Sequence, residues 1–284
     1  MTDATDARPV RQDPPSHGAR AYARIRYRLL FIDLALGAAF LAAFQWFGAS
    51  AFLARWWAGR VGLEPLRLLG YLAVFGAAHY IVQLPLHFYS SFLLEHRFRL
   101  SRLTLGGWVV REAKRVAVSG VLGAIVLEVF YAILRHAPSA WPFWATVGWV
   151  GFSVVMARVF PTVLLPIFYK TTPLQDAALT DRLLGLCRRA GLSALGVFRF
   201  DLGAETRKAN AALAGLGKTR RVLLADTLLS EFTSDEIEGV LAHELAHHRY
   251  RHITKTLILS AAGSWVAFVL TDLVSRWWVA ALGL

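Results

Sequence analysis

Five stretches of this chain are apolar enough and long enough to cross a bilayer, and no other feature restricts its fold as strongly. Crossing about 30 Å of hydrocarbon takes about 20 helical residues at about 1.5 Å each. Leu29 to Trp57 is one such run, interrupted by Asp33, Gln45 and Arg55. Leu66 to Leu86 carries His79 and Gln83, and Val116 to Leu134 carries Glu128. Trp141 to Tyr169 is broken by Arg158, Pro161 and Pro166, and Thr256 to Leu284 holds Asp272 and Arg276. Five such runs in 284 residues do not pack readily into a soluble globule. The composition agrees: 56% of residues are hydrophobic, against about 45–50% in soluble domains. Disorder, which needs low hydrophobicity, is excluded. A polar, Arg-rich tail precedes the first run and no small-residue cleavage pattern follows it, so it is not a signal peptide.

The formal net charge is +12, yet a chain this apolar does not suit a nucleic-acid face, and no nucleic-acid partner is expected. Arg8, Arg11, Arg20, Arg24, Arg26 and Arg28 precede the first run, and Arg97, Arg99, Arg102, Arg111, Lys114 and Arg115 lie between the second and third. The loops after the first and third runs are poor in charge. This alternation places the N-terminus and everything between the fourth and fifth runs in the cytoplasm. Asp33, Glu128 and Asp272 stand inside apolar runs, where an acid calls for a partner or a water-lined cavity; Arg276 stands four residues beyond Asp272. A single cysteine, Cys187, excludes an intrachain disulfide framework.

Between the fourth and fifth runs the composition changes. Lys170 to Arg251 holds 12 basic and 10 acidic residues and no run of spanning length. Pro173 opens a helical pattern with an apolar face that includes Leu179, Leu183 and Cys187, and Gly191 closes it. Val197 to Asp201, Ala209 to Leu213 and Arg221 to Ala225 read as strands, the last two separated by a Gly215–Lys218 turn. Thr233 and Glu236 form a capping box, so a further helix starts near Ser234.

That helix carries His243-Glu244-Leu245-Ala246-His247. Residues four apart stand one above the other, so both imidazoles reach one metal, with Glu244 beside them to accept a proton from metal-bound water. Zinc suits this set, because it takes imidazole nitrogen, is redox-silent and lowers the pKa of water to about 7. The bland alternative is a surface helix with solvated His and Glu side chains. His248 and His252 point about 140° and 180° away from His243 and read as packing or solvent contacts.

The sequence HELAHHRYRH, preceded by EIEGVLA, resembles the zinc helix of the type I CaaX prenyl endopeptidases and their bacterial relatives. Phe168-Tyr169-Lys170 with Thr172-Pro173-Leu174, Lys208-Ala209-Asn210-Ala211 with Gly215, Arg221 to Leu229, and Leu94 to Ser101 resemble further motifs of that family in their expected order. The resemblance implies a zinc endopeptidase whose membrane helices surround a water-filled chamber. His243 and His247 would be ligands and Glu244 the catalytic base, while Asn210 and Ala211 on an edge strand would bind substrate as an added strand; a turn role for Asn210 is the alternative. It implies membrane-associated, lipidated or misfolded proteins as substrates, and a lipid bilayer as surroundings.

The expected fold is membrane α-helical: about five transmembrane helices with a small α+β zinc-metalloprotease (gluzincin-like) domain inserted before the last. Residues 1–27 form the polar tail, 28–169 a four-helix membrane region, 170–254 the cytoplasm-facing catalytic domain and 255–284 the fifth membrane helix. One element departs from the family pattern. A catalytic zinc normally has three protein ligands, and the resemblance places the third, a Glu, on a helix beyond another membrane hairpin. The only carboxylate after His247 is Asp272, about 37 Å further along a continuous helix. Truncation of a longer protease is the expectation; a naturally short form and a peptide-binding pseudoprotease are the alternatives.

Overall fold

The computed structural model describes residues 17–192, 194–206, 210–215, 220–250 and 252–282, with the backbone alone for 17, 248, 249, 252, 253 and 282. The chain falls into two compact units, residues 1–101 and 102–284. Helices at Gly18–Trp46, Glu64–Arg97, Leu105–His136, Trp141–Phe168 and Thr254–Ala281 are long and apolar enough to span a membrane.

In the first unit, α1 (His17–Trp46) stops short of the predicted Trp57 and is followed by α2 (Ala49–Ala58). The break falls at Gly48, whose φ of +69° is left-handed backbone that glycine adopts at no steric cost. α3 (Glu64–Phe88) returns alongside α1. Pro85 removes a helix donor near its end, and the helix passes through a π-helical turn, Tyr89–Leu93, into α4 (Leu94–Arg97). The α1–α3 contact is aromatic, with Phe40, Phe44, Phe75 and His79 in ring contact. One rung is polar: Gln83 Nε2 donates to the carbonyl of Asp33 at 3.2 Å. The Trp57 ring lies flat on Gly70, where a Cβ would approach it to 2.5 Å.

The second unit opens with α5 (Leu105–His136), capped by Thr104, whose Oγ1 accepts from Gly107 N at 3.1 Å. The predicted run began only at Val116; Arg111, Lys114 and Arg115 before it belong to the same helix. α6 (Trp141–Val159) continues through a π-helical turn, Phe160–Leu164, which accommodates Pro161, into α7 (Leu165–Phe168). β1 (Thr171–Pro173) comes next, and α8 (Ala177–Arg189) starts at an Asp176 cap whose Oδ1 accepts from Leu179 N at 2.9 Å. The helix predicted to open at Pro173 therefore starts later. Pro173 sits on an edge strand instead, where its missing N–H costs nothing.

β2 (Val197–Phe200), β3 (Ala211–Ala214) and β4 (Arg221–Ala225) complete a sheet of order β1-β2-β4-β3. β2 and β4 are parallel and the outer pairs antiparallel; Ala211 pairs with Leu224, and Val197 with Val222. The predicted strand and turn residues Lys208, Ala209 and Leu216 to Lys218 lie outside the described residues. α9 (Asp226–Glu231), α10 (Ser234–Arg249) and α11 (His252–Leu282) follow. α8 packs on β2 and α10, and α10 on β3. Between them lies a core of Leu183, Cys187, Val222, Leu224, Leu241 and their neighbours. Burial there pushes the Cys187 thiol pKa up.

α11 packs against α6. Trp141 Nε1 donates to Asp272 Oδ1 at 2.8 Å, and Arg276 Nε to Asp272 Oδ2 at 2.8 Å. Trp141 is the first residue of α6, so this carboxylate lies level with a helix end and is paired as its spacing to Arg276 implies. Glu128 is half-buried in α5, and its Oε1 meets no hydrogen-bond partner among the described residues.

Candidate metal centre

α10 starts where the capping box places it. Thr233 N donates to Glu236 Oε2 at 2.8 Å and Glu236 N to Thr233 Oγ1 at 3.4 Å, which satisfies two donors of the first turn. Hydrogen bonds from Thr233 hold the Glu236 carboxyl below the usual glutamate range. Ile237, Leu241 and Leu245 recur every fourth residue and are buried. At about 100° per residue, His243 lies about 200° from Leu241, on the face turned away from the core. Both His243 and His247 are exposed. Burying one face of α10 thus presents the other.

On that face the two imidazoles converge. Their Nε2 atoms are 3.3 Å apart, and the ring planes are perpendicular at a centroid distance of 4.9 Å. Two nitrogens bound at about 2.0–2.1 Å to one tetrahedral ion stand about 3.3–3.4 Å apart, so the separation of the pair matches that of two zinc ligands. Glu244 follows His243 directly and is half-buried. Among the described residues no third His, Cys, Asp or Glu joins the pair. Asp272, held by Trp141 and Arg276, is not a candidate. The side chains of His248 and His252 lie outside the described residues.

Asn210 and Ala211 sit where β3 begins. The Asn210 carbonyl accepts from Ala225 N at 2.9 Å, Asn210 is exposed, and Ala211 is the first paired residue of the edge strand that α10 packs against. The edge strand and α10 are therefore neighbours. Arg182 of α8 ties down the start of α10: its Nη2 lies 2.6 Å from Asp235, and its Nε pairs with Glu238. These acidic partners raise the Arg182 pKa.

Two groups escaped the sequence reading. Asp226 Oδ1 accepts from the backbone N–H of Leu202, Gly203 and Thr227 at 2.8, 2.7 and 2.9 Å, holding the loop after β2 against the end of β4. An Asp closing an apolar strand was a visible signal for such a turn. Glu205 pairs with Arg111 of α5 at 2.8 Å, and nothing local in the sequence announces a partner 94 residues away.

Comparison with known proteins follows the same lines. Residues 13–170 match a family described as the CAAX prenyl protease N-terminal segment with five membrane helices, and residues 173–281 match peptidase family M48. Here the first segment contains the span-length helices built on α1, α3, α5 and α6, plus the short α2. CAAX prenyl protease 1 of Saccharomyces cerevisiae is 30% identical over 209 residues, covering 73% of this chain and 46% of that protein. The uncharacterised metalloprotease YhfN of Bacillus subtilis is 25% identical over 268 residues, covering 92% of this chain and 63% of that protein. The crystal structure of Ste24p from S. mikatae aligns with a TM-score of 0.78 at 26% identity, covering 93% of this chain and 64% of that one. The chain thus spans about half the length of the curated relatives first matched. Membrane helices and polar domain agree with these matches, and the chain belongs to the M48 family of CAAX prenyl protease-like membrane metallopeptidases.

Proposed function

We propose that the protein is a zinc-dependent endopeptidase that cleaves membrane-associated proteins, lipidated ones among them, on the cytoplasmic side of the bilayer. The observation that carries the reading is the 3.3 Å separation of the His243 and His247 Nε2 atoms on the exposed face of α10, with Glu244 next in the chain. Zinc held there supplies Lewis acidity toward a peptide carbonyl and lowers the pKa of water. His243 and His247 would hold it. The Glu244 carboxylate takes the proton from the attacking water and passes it to the departing amine. The exposed edge of β3, from Asn210 and Ala211, pairs with the substrate backbone and keeps the peptide extended whatever its side chains.

The names of the relatives support lipidated proteins as the substrate class. The basic residues before the first apolar run, four of them in the first turns of α1, and those around the start of α5 support the cytoplasmic placement of the N-terminus and polar domain. The test is cleavage of a fluorogenic farnesylated CaaX peptide, and of the same peptide without the farnesyl group, by the full chain in phosphatidylcholine nanodiscs. Cleavage is expected, abolished by a zinc chelator and restored by zinc. Chelator-insensitive cleavage overturns the metal reading, and equal cleavage of both peptides removes the lipid requirement.

A further inference from the structure

α5 is longer than a bilayer requires. Its 32 residues extend about 48 Å, and the basic first turns, Leu105 to Arg115, precede the apolar run. Those turns do not stand free in water. Trp108 and Glu112 are buried, and Lys114 Nζ donates to the carbonyl of Ile167 at 3.0 Å. Arg111 Nη1 donates to Glu205 Oε2 at 2.8 Å, with the carboxylate side chain only 16% exposed. Just before α5, Arg102 N donates to the Glu205 carbonyl at 2.9 Å, and Arg102 Nη1 to that of Gly203 at 3.4 Å. Burial raises the Tyr169 phenol pKa, and Tyr169 stands close enough to the same carboxylate for its charge to raise it further. Glu205 is thus gripped by side chain and backbone from the root of one membrane helix.

The loop carrying Glu205 is in turn fastened to the sheet. Glu205 N and Thr206 N both donate to the Leu202 carbonyl at 3.0 Å, closing a tight turn. Leu202 N and Gly203 N donate to Asp226 Oδ1. Asp226 follows Ala225, whose N–H meets the Asn210 carbonyl at 2.9 Å. A path of hydrogen bonds and intervening backbone therefore runs from Arg111 through Glu205, the turn at Leu202, Asp226 and Ala225 to Asn210, the residue just before β3. That strand has four residues and, in the sheet, one bonded neighbour, β4. A short edge strand is the weakest part of a sheet, and an edge that accepts a peptide binds better when its geometry is set beforehand.

We propose that Glu205, held by Arg111 of α5, is a positioning residue for substrate: it anchors the turn that fixes the Asn210 end of β3 and so ties the peptide-binding edge to the membrane helix. The inference rests on the strand-addition reading above. It places Glu205 neither on the metal nor on the substrate; the residue acts through Asp226 and Ala225. The basic charges at the foot of α5 then have a second role beside orientation in the membrane.

The test uses the full chain in nanodiscs and a fluorescein-labelled farnesylated CaaX peptide. Binding is read by anisotropy with metal chelated, cleavage with zinc present, and amide exchange at Ala225 without peptide. Glu205→Ala and Arg111→Glu each weaken peptide binding and raise KM about tenfold, leave kcat within about twofold, and speed Ala225 exchange about tenfold; the reversed pair R111E/E205R recovers most of each change. Should Glu205→Ala not fold, Arg111→Lys reports the same quantities with smaller changes. Wild-type binding with unaltered affinity in both single variants overturns the inference alone. So does a fall in folded fraction or kcat with unchanged KM, the mark of a merely structural contact. A wild-type chain that neither binds nor cleaves the peptide overturns the strand-addition reading and the inference with it.

Discussion

The membrane helices and the polar domain solve the same problem with opposite surfaces. On α5 and α11, Val121 is 61% exposed, Leu270 55% and Trp277 66%, because their solvent is lipid. In the domain, Leu183, Val222, Leu224 and Leu241 are 0% exposed, because their solvent is water. The spans need little packing to stay helical: the bilayer forces each backbone to satisfy its own hydrogen bonds. The domain must bury a core from both sides of a four-stranded sheet. The site belongs to the second kind of region, and it exists because burying Ile237, Leu241 and Leu245 turns His243 and His247 outward.

The sharpest way to break this comparison is one substitution made in both regions. Leu241→Ala should destabilise the polar domain by about 2–5 kcal/mol, since it opens a cavity in a packed core. Leu270→Ala, facing lipid, should change denaturation of the purified protein by less than about 0.5 kcal/mol. Chemical denaturation monitored by domain tryptic resistance separates the two, and equal costs would mean that the α11 face is packed against protein. A charge reverses the ranking. Val121→Arg should cost about 2.5–3.5 kcal/mol of membrane insertion, read as loss of membrane-integrated protein, whereas Leu195→Arg in the domain, at a site 63% exposed, should be nearly silent.

The smallest effect is set by pH. Glu236 has its carboxyl lowered in the folded state by its bonds to Thr233, so the stability it contributes is present above the unfolded glutamate value, near 4.5, and is lost as pH falls through the folded value. The melting-temperature gap between wild type and Glu236→Gln should therefore be open at pH 7 and close in strong acid. A gap that persists unchanged in acid would show that the capping carboxylate acts through packing and not through charge.

Legibility followed the same divide. The apolar runs could be read because a bilayer fixes their length, but Gly48 ended the first helix early and a π-helical turn at Phe160–Leu164 interrupts the fourth, where local backbone, not hydropathy, decides. The foot of α5 looked like a charged loop because the residues buried on it, Trp108 and Glu112, form no periodicity that the Arg and Lys around them reveal. Pro173 read as a helix start, while the Asp176 cap three residues later held the actual one. The approach of His243 and His247 was legible because its geometry is local: a spacing of four on a capped helix brings two nitrogens together. Glu205 and Asp226 were not, since their partners are set by tertiary folding over 94 and 23–24 residues.

The central claim is that the polar domain carries a working Glu-assisted zinc site. Zinc content and peptide cleavage measured side by side for wild type and Glu244→Gln, in nanodiscs, test it most directly. The account predicts equal zinc in both proteins and a loss of cleavage of about 10²–10⁴-fold in the variant. Cleavage that survives the substitution at unchanged zinc content would contradict it.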